Sequence, residues 1–309
     1  MRIFRIGFLA VSLILPRVGA GEPEEAAAEP SLEDLYDTGK ALFDAFAPEE
    51  IKAEYEFPDR AHWDTFAARL QSALDNDRLE DLAVYEPEAR AAAVALRAIP
   101  GGDEYADWLE ERLDYIMAAK AAVAAPPPLV KPEGPKQVRA AAIPYLDLWR
   151  ERMSARPVPE RAAGLVPKLR KIFAAEGVPE ALVWMAEAES TFNPNARSPV
   201  GARGLFQFMP ATAKEFGLST FFPDDRADPA KSARTAAQYL KQLHGRFGDW
   251  PLAIAAYNAG GGRVSRTLTK NNATTFAEIS AALPSETRMY VPKVLATLEV
   301  RAGVTLERL

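Results

Sequence analysis

The chain has 309 residues, of which 48% are hydrophobic and 26% charged, and its formal net charge is -6. This length suggests about two domains, and the acidic balance argues against nucleic-acid binding, which needs a basic surface. No cysteine is present, so disulfides and a lipid-modified cysteine are excluded. Ala, Leu and Glu dominate while β-branched residues are sparse over long stretches, which favours an all-α fold.

The first twenty residues have the layout of a secretory signal peptide. Arg2 and Arg5 precede an apolar run over 6–15, and small residues at 18–20 offer a cleavage site. The run is too short to span a bilayer, which needs about 20 residues, although an uncleaved anchor is the alternative interpretation. Cleavage would also remove Arg17, so three positive charges would be lost and the formal charge would change from -6 to -9. We therefore expect an exported, periplasmic protein that can associate with the cell envelope but is not anchored through a cysteine.

The chain after the signal peptide divides into four predicted segments. Residues 21–31 are acidic and Ala-rich and predict a flexible leader, whereas 32–124 carry apolar residues at helical spacing and predict a helical N-terminal region of unknown role. Its Trp and Phe stripes are interpreted as core. Residues 125–137 are Pro-rich and predict a stiff linker, with an ordered loop as the alternative. The helical pattern returns over 138–309.

One carboxylate, Glu189, stands on a helix face that is otherwise apolar. Pro179 suits a first helical turn. Four residues on the helix that follows are spaced i, i+3, i+4 and i+7 on one face: Leu182, Met185, Ala186 and Glu189. Burial raises the pKa of a carboxyl group, and a carboxyl that is protonated near neutral pH can act as a general acid. Glu187 lies on a different face and is interpreted as an ordinary solvated residue.

The residues after Glu189 predict a loop and then further helices. Asn-Pro, Ser-Pro and glycine mark the loop, and Gly201 and Gly204 allow the backbone to approach a ligand closely. A helix is expected to resume near Gly204 and to end at Gly217. Further helix starts are predicted at Asp228, Asp249 and Ser285.

Four blocks in this order resemble the lytic transglycosylase family with the soluble-transglycosylase (SLT), lysozyme-like domain. The blocks are Glu189-Ser190, Gly-Leu-Phe-Gln at 204–207, Ala-Tyr-Asn-Ala-Gly at 256–260 and Glu-Thr-Arg-Met-Tyr-Val at 286–291. The longer runs are most similar to the membrane-bound lytic murein transglycosylase D branch. The resemblance implies a lysozyme-like helical catalytic domain over 138–309, with a core at 164–302.

The resemblance implies cleavage of the β-1,4 bond between N-acetylmuramic acid and N-acetylglucosamine in peptidoglycan. Glu189 would protonate the glycosidic oxygen, and the substrate's own N-acetyl group would help to displace the bond. The C6 hydroxyl would then attack C1 while Glu189 takes the proton back, leaving a 1,6-anhydro end. No acidic residue lies between Glu189 and Glu215, which fits the lack of a local nucleophile, although Glu286 could fold close.

Further residues are implied by family position to bind substrate or to support the acid: Ser190, Ser198, Gln207, Tyr257, Asn258, Glu286 and Tyr290. Each has a structural alternative. Ser190 could cap a helix end, Gln207 could bind backbone, and Tyr257 could belong to the core. An acid at Glu286 would favour the helix dipole in a first turn regardless of function.

Other chemistries have little support in the sequence. His62 and His244 lack the spacing of zinc ligands, and the glycines at 260–262 lack the Lys-Ser/Thr of a phosphate loop. No cofactor is implied. Glycan strands are the expected partner, together with cell-wall synthesis or remodelling proteins. The competing hypotheses are a goose-type lysozyme hydrolase and a non-catalytic wall-binding scaffold.

Overall fold

A computed structural model describes residues 44, 49, 86–97, 103–124, 143–198 and 201–309. Within these ranges the fold is all-α, as predicted, with isolated bridges at Arg197–Arg203 and Arg203–Phe208 in place of strands. The predicted signal peptide, leader and linker lie outside the described residues. No helix among the described residues has the length and apolar character needed to cross a membrane.

The helices are numbered here in chain order. They are α1 (Glu86–Arg97), α2 (Asp103–Ala124), α3 (Leu146–Ala155), α4 (Glu160–Ala175), α5 (Met185–Ser190), α6 (Pro210–Glu215), α7 (Pro229–Phe247), α8 (Trp250–Ala259), α9 (Gly261–Asn271), α10 (Phe276–Ile279) and α11 (Ser285–Ala302). Short 3-10 turns lie at Glu180–Trp184, Asp225–Ala227, Ser280–Ala282 and Leu306–Arg308.

The core is built around α11, which packs against α3, α5 and α8. Residues 289–298 of α11 are all buried, and so are residues 251–256 of α8. A helix that is buried around its whole circumference must lie inside the protein, so both helices form the centre of the fold. The catalytic candidates on α5, α8 and α11 are therefore carried by rigid, enclosed elements.

The helix α2 shares this core. Tyr115, Ile116 and Ala118 are buried in the same cluster as the residues of α11, whereas Leu113 packs with two alanines of α1. The helix thus joins the predicted N-terminal region to the unit that follows. The boundary at 125–137 stays a prediction, but the packing shows that α2 contacts the later helices directly.

Two predicted helix starts are confirmed by their capping hydrogen bonds. Asp228 accepts hydrogen bonds from the backbone N–H groups of Ala230 and Lys231 at 2.8 and 2.9 Å. Asp249 accepts one from Leu252 at 3.1 Å. Proline is the first helical residue after Asp228 and the second after Asp249, and at both positions its missing N–H costs nothing because the first N–H groups of a helix have no partner within it.

Of the other predicted boundaries, the helix end near Gly217 is confirmed, because α6 ends at Glu215 and Gly217 follows with φ of +78°. The starts near Gly204 and at Ser285 are wrong in detail. No helix resumes near Gly204, because φ is +84° there and +48° at Gln207, values that a right-handed helix cannot hold. The helix begins only at Pro210. Ser285 is the first residue of α11 rather than its cap, a position that Pro284 occupies.

The segment before Glu189 also differs from the prediction. Pro179 is the cap of a 3-10 turn, and an α-helix forms only from Met185 onward. Glu187 is not solvated as expected, since it is fully buried and accepts hydrogen bonds from Arg301 at 2.8 and 3.0 Å. The short helix α5 is enclosed on more than one side. The helix face on which Glu187 lies therefore did not predict whether its side chain is exposed.

Replacing Gly204 with alanine should destabilise the loop that carries Gln207. An alanine Cβ at Gly204 would lie 1.8 Å from the backbone oxygen of Arg226, so the backbone must shift. We expect a loss of at least about 3 kcal/mol, at the large end of single substitutions. Gly217→Ala is the matched control, because φ is +78° there with nothing within 4 Å, and it should lose only about 1–2 kcal/mol. Urea unfolding of both variants measures the difference, and equal losses would contradict the clash.

Candidate active site

Glu189 lies in the last turn of α5, where the chain reverses. Thr191 and Phe192 both adopt left-handed backbone angles, with φ of 51° and 58°, and their N–H groups bond back into α5. The Glu189 side chain remains partly exposed while Met185 and Ala186 on the same face are fully buried. The carboxyl group is thus held at the edge of the core.

The hydroxyl of Tyr290 donates a hydrogen bond to Glu189 Oε1. Burial raises the pKa of Glu189 from 4.5 to about 7, partly offset by this hydrogen bond and by the positive charge of Arg112, while the negative charges of Glu286 and Glu111 act in the raising direction. Near pH 7 such a carboxyl group is protonated in about half of the molecules. It can therefore both give and take a proton at neutral pH.

Tyr290→Phe should raise the pKa of Glu189 above about 7, because the lost hydrogen bond stabilises the charged carboxylate. Hydrogen bonds to charged groups contribute about 1.5–3 kcal/mol, which corresponds to a rise of about one pKa unit or more. Carbon NMR titration of the Glu189 carboxyl measures this rise. Tyr257→Phe is the control, since the Tyr257 hydroxyl bonds to the carbonyl of Phe206 instead and its loss should leave the Glu189 pKa near the wild-type value.

Glu286, the second predicted acid, does lie near the first. It is at the start of α11, one turn before Tyr290, and so on the same helix face. Its carboxylate forms an ion pair with Arg112 Nη2 at 2.9 Å. The two carboxyl groups are close enough for the charge of Glu286 to raise the pKa of Glu189.

The end of α8 brings Tyr257 and Asn258 to the same region. The Tyr257 hydroxyl donates to the carbonyl oxygen of Phe206 at 2.9 Å, and burial, followed by the charge of Glu189, raises its pKa well above the ordinary value. Asn258 Oδ1 accepts a hydrogen bond from the Thr287 hydroxyl at 2.6 Å. These contacts connect α8 to the loop on one side and to the first turn of α11 on the other.

The remaining candidates bind backbone atoms. Ser190 Oγ donates to the carbonyl of Leu205 at 2.9 Å, and Ser198 Oγ accepts from the N–H of Ala202 at 2.9 Å. Gln207 Nε2 donates to the carbonyl of Gly204 at 2.9 Å and to that of Ala196 at 3.3 Å. In this structure the three side chains hold the loop residues at 196–198 and 201–208, which is the structural alternative for Gln207.

Sequence reasoning missed the contribution of α2. Arg112 lies beside Glu286, and Glu111 accepts hydrogen bonds from Thr191 at 3.2 Å and from the buried Lys293. The available signal was a lysine in the otherwise apolar run of α11, which requires a buried partner. Among the residues the structure describes, no cluster of three or more His, Cys, Asp or Glu side chains could hold a metal ion.

Comparisons with known proteins agree with the resemblance. The family model "Transglycosylase SLT domain" matches residues 171–280, which contain three of the four sequence blocks, while the fourth block, at 286–291, lies beyond the match. "Membrane-bound lytic murein transglycosylase D" of Escherichia coli (strain K12) is 39% identical over 140 residues, which are 42% of this chain and 30% of that protein. "Soluble lytic murein transglycosylase" of the same strain is 40% identical over 121 residues, 36% of this chain and 19% of that one. The match spans less than a third of either relative.

Solved structures of lytic transglycosylases are also similar, at a low level. The 70 kDa soluble lytic transglycosylase from Escherichia coli aligns with 88% of this chain and 57% of its own, at 20% identity and a TM-score of 0.37. A complex of the 70 kDa soluble lytic transglycosylase with bulgecin A aligns with 91% of this chain and 59% of its own, at 20% identity and a TM-score of 0.40. The assignment of the SLT domain rests on the family model and the curated relatives.

Proposed function

We propose that this chain is a peptidoglycan lytic transglycosylase that cleaves the bond between N-acetylmuramic acid and N-acetylglucosamine without water. The observation that carries the proposal is the Glu189 carboxyl group, which has a pKa of about 7, accepts a hydrogen bond from Tyr290 and lies within the SLT domain. A general acid works best when its pKa lies near the operating pH.

The proposed reaction has two steps that use the same carboxyl group. In the first, Glu189 donates its proton to the glycosidic oxygen as the C1–O bond breaks, and the N-acetyl group of the substrate stabilises C1. In the second, the C6 hydroxyl attacks C1 and returns its proton to Glu189, which restores the starting state. A pKa of about 7 suits both directions of proton transfer.

The other residues of the site support the acid in this proposal. Tyr290 orients the Glu189 carboxyl group, and Tyr257 and Asn258 connect the end of α8 to the loop and to the first turn of α11 beside it. The backbone contacts of Ser190, Ser198 and Gln207 favour a role in shaping the loop beside the sugar rather than in holding it.

One observation favours the competing hydrolase. Glycosidases that use water or a covalent intermediate need a second carboxyl group near the first, and Glu286 is close enough to act on Glu189 electrostatically. Its ion pair with Arg112, however, engages this carboxylate. The products of the reaction distinguish the two mechanisms.

The test is to incubate the protein without its first twenty residues with purified sacculi and to weigh the released fragments. We expect muramic ends that lack one water, the mass of a 1,6-anhydro sugar. Ordinary reducing ends would overturn the transglycosylase mechanism in favour of the lysozyme hydrolase. Binding without any release would favour the non-catalytic scaffold.

We further propose that the protein acts after export, in the periplasm or at the cell envelope, where peptidoglycan is found. The basic start and apolar run of the first twenty residues support this location. Cell-wall synthesis or remodelling proteins are the proposed protein partners. Fractionation of cells that express the chain would test the location, and recovery in the cytoplasm would contradict it.

A further inference from the structure

We propose that Arg112, supplied by α2 from outside the matched SLT segment, is a positioning residue of the active site. Its guanidinium group fixes the carboxylate of Glu286 and offsets the negative charge of that carboxylate beside Glu189. The inference rests on the proposed function for its catalytic meaning, but its structural and electrostatic content can be tested without substrate.

Helix α2 is firmly anchored to the residues that follow it in the chain. Three acids on α2 lie at i, i+4 and i+7 and contact residues that follow α2 in the chain: Asp107, Glu111 and Asp114. Asp107 accepts a hydrogen bond from Asn193 at 2.7 Å, two residues after the chain reversal that follows Glu189. Because Asp107 is buried, this contact is protected from water. The helix is therefore tied to the segment that positions the acid.

The other two acids bind basic residues on α3 and α11. Glu111 pairs with the fully buried Lys293 of α11, and Asp114 pairs with Lys293 at 3.0 Å and with Arg152 of α3 at 2.6 Å. Burial of both Glu111 and Lys293 removes the screening that makes surface pairs weak, whereas Asp114 and Arg152 are partly exposed. The position of Arg112, next to Glu111 on the same helix, is fixed by these contacts.

Arg112 itself forms an ion pair with Glu286. Its Nη2 atom lies 2.9 Å from Glu286 Oε1, and the two side chains are only 27% and 34% exposed. Glu286 lies one turn before Tyr290, which donates to Glu189. A continuous set of polar groups thus runs from α2 through the first turn of α11 to the acid on α5.

Charges of opposite sign surround Glu189 and act on its pKa in opposite directions. The charged and titratable groups that act on it are Arg112, Glu111 and Tyr115 from α2, Glu286 and Tyr290 from α11, and Tyr257 from α8. Lys293 neutralises Glu111 directly. Arg112 is left to offset Glu286, so the two groups act on Glu189 in opposite directions. In the proposed reaction this balance keeps Glu189 able to donate and then recover a proton.

The test uses NMR titration of the Glu189 carboxyl group in four variants of the protein after removal of residues 1–20. Arg112→Gln should raise the pKa of Glu189 and Glu286→Gln should lower it, each by about one unit, the low end of the effect of a close charge. The double variant Arg112→Gln with Glu286→Gln should return close to the wild-type value. Arg112→Lys should shift the pKa least, because it keeps the charge and loses only the planar fork.

Arg150→Gln is the matched control. Arg150 of α3 pairs with Glu299 of α11 at 2.7 Å, and neither is among the main groups that shift the Glu189 pKa, which should therefore stay at the wild-type value. The pH above which activity on sacculi declines should shift in the same direction as the Glu189 pKa. It should rise in Arg112→Gln and fall in Glu286→Gln. A purely structural role for Arg112 would not produce opposite shifts that cancel.

Shifts in the same direction for Arg112→Gln and Glu286→Gln, or no shift in either variant, would overturn the proposal. If Arg112→Gln does not fold, the titrations of Glu286→Gln and Arg112→Lys test the proposal instead. A Glu189 pKa at the wild-type value in Glu286→Gln would show that the charge of Glu286 does not act on Glu189, which would overturn the proposal. Inactivity towards sacculi in a protein with the expected titrations would count against the proposed function and not against this inference.

Discussion

Glu189→Gln is expected to lower the rate of glycan release from sacculi by about 10³-fold or more, since general acid–base catalysis contributes about 10²–10⁴-fold and both proposed steps use this carboxyl group. Glutamine is nearly the same shape and can still accept a hydrogen bond from Tyr290, but it has no proton to transfer at neutral pH. The fold should be retained, with a melting temperature close to that of the wild type.

The measurement is mass spectrometry of fragments released over time by the wild type and the variant side by side. Glu180→Gln is the matched control, because Glu180 lies in the preceding 3-10 turn and forms a surface pair with Arg170 at 2.9 Å. It should keep full activity. An active Glu189→Gln protein would remove the catalytic assignment, and a large loss of melting temperature would make Glu189 a structural residue.

Lys293→Met is expected to cause the largest loss of stability. The Lys293 side chain is fully buried, pairs with Glu111 and Asp114, and lies over the rings of Tyr115 and Trp149 at 4.6 and 5.2 Å. Breaking a buried pair by removing one partner costs about 3–5 kcal/mol, and we expect a loss near the lower end because Glu111 keeps a longer ion pair with Arg156 at 3.4 Å. Since the pair connects α2 to α11, we expect the loss to affect the packing of α2 as well.

The stability prediction is checked by urea unfolding. The double variant Lys293→Met with Glu111→Leu should recover much of the loss, because no buried charge is left without a partner. Lys231→Met is the control, since Lys231 is about half exposed and pairs with Asp225 at the surface, where screening makes such pairs weak. A loss in Lys293→Met no greater than in Lys231→Met would show that the buried pair is not important for stability.

Features that depend on neighbouring residues could be predicted from the sequence. The aspartates at 228 and 249 cap helices because the cap bonds to N–H groups two or three residues ahead. The predicted all-α fold follows in the same way from composition and helical spacing. Predictions failed where backbone conformation overrode the local pattern, as at Gly204 and Gln207, whose positive φ values stop a helix before Pro210.

The sequence by itself determined that the protein is helical and that Glu189 is the candidate acid, because both follow from residue types at short spacing. Only the tertiary structure decided which groups surround that acid. Arg112 and Glu286 are 174 residues apart, and Lys293 and Glu111 are 182 apart. Ion pairs of this kind form only where the path of the chain brings the partners together, and no local pattern encodes that path. The same path buried Glu187, which helical spacing alone placed in solvent.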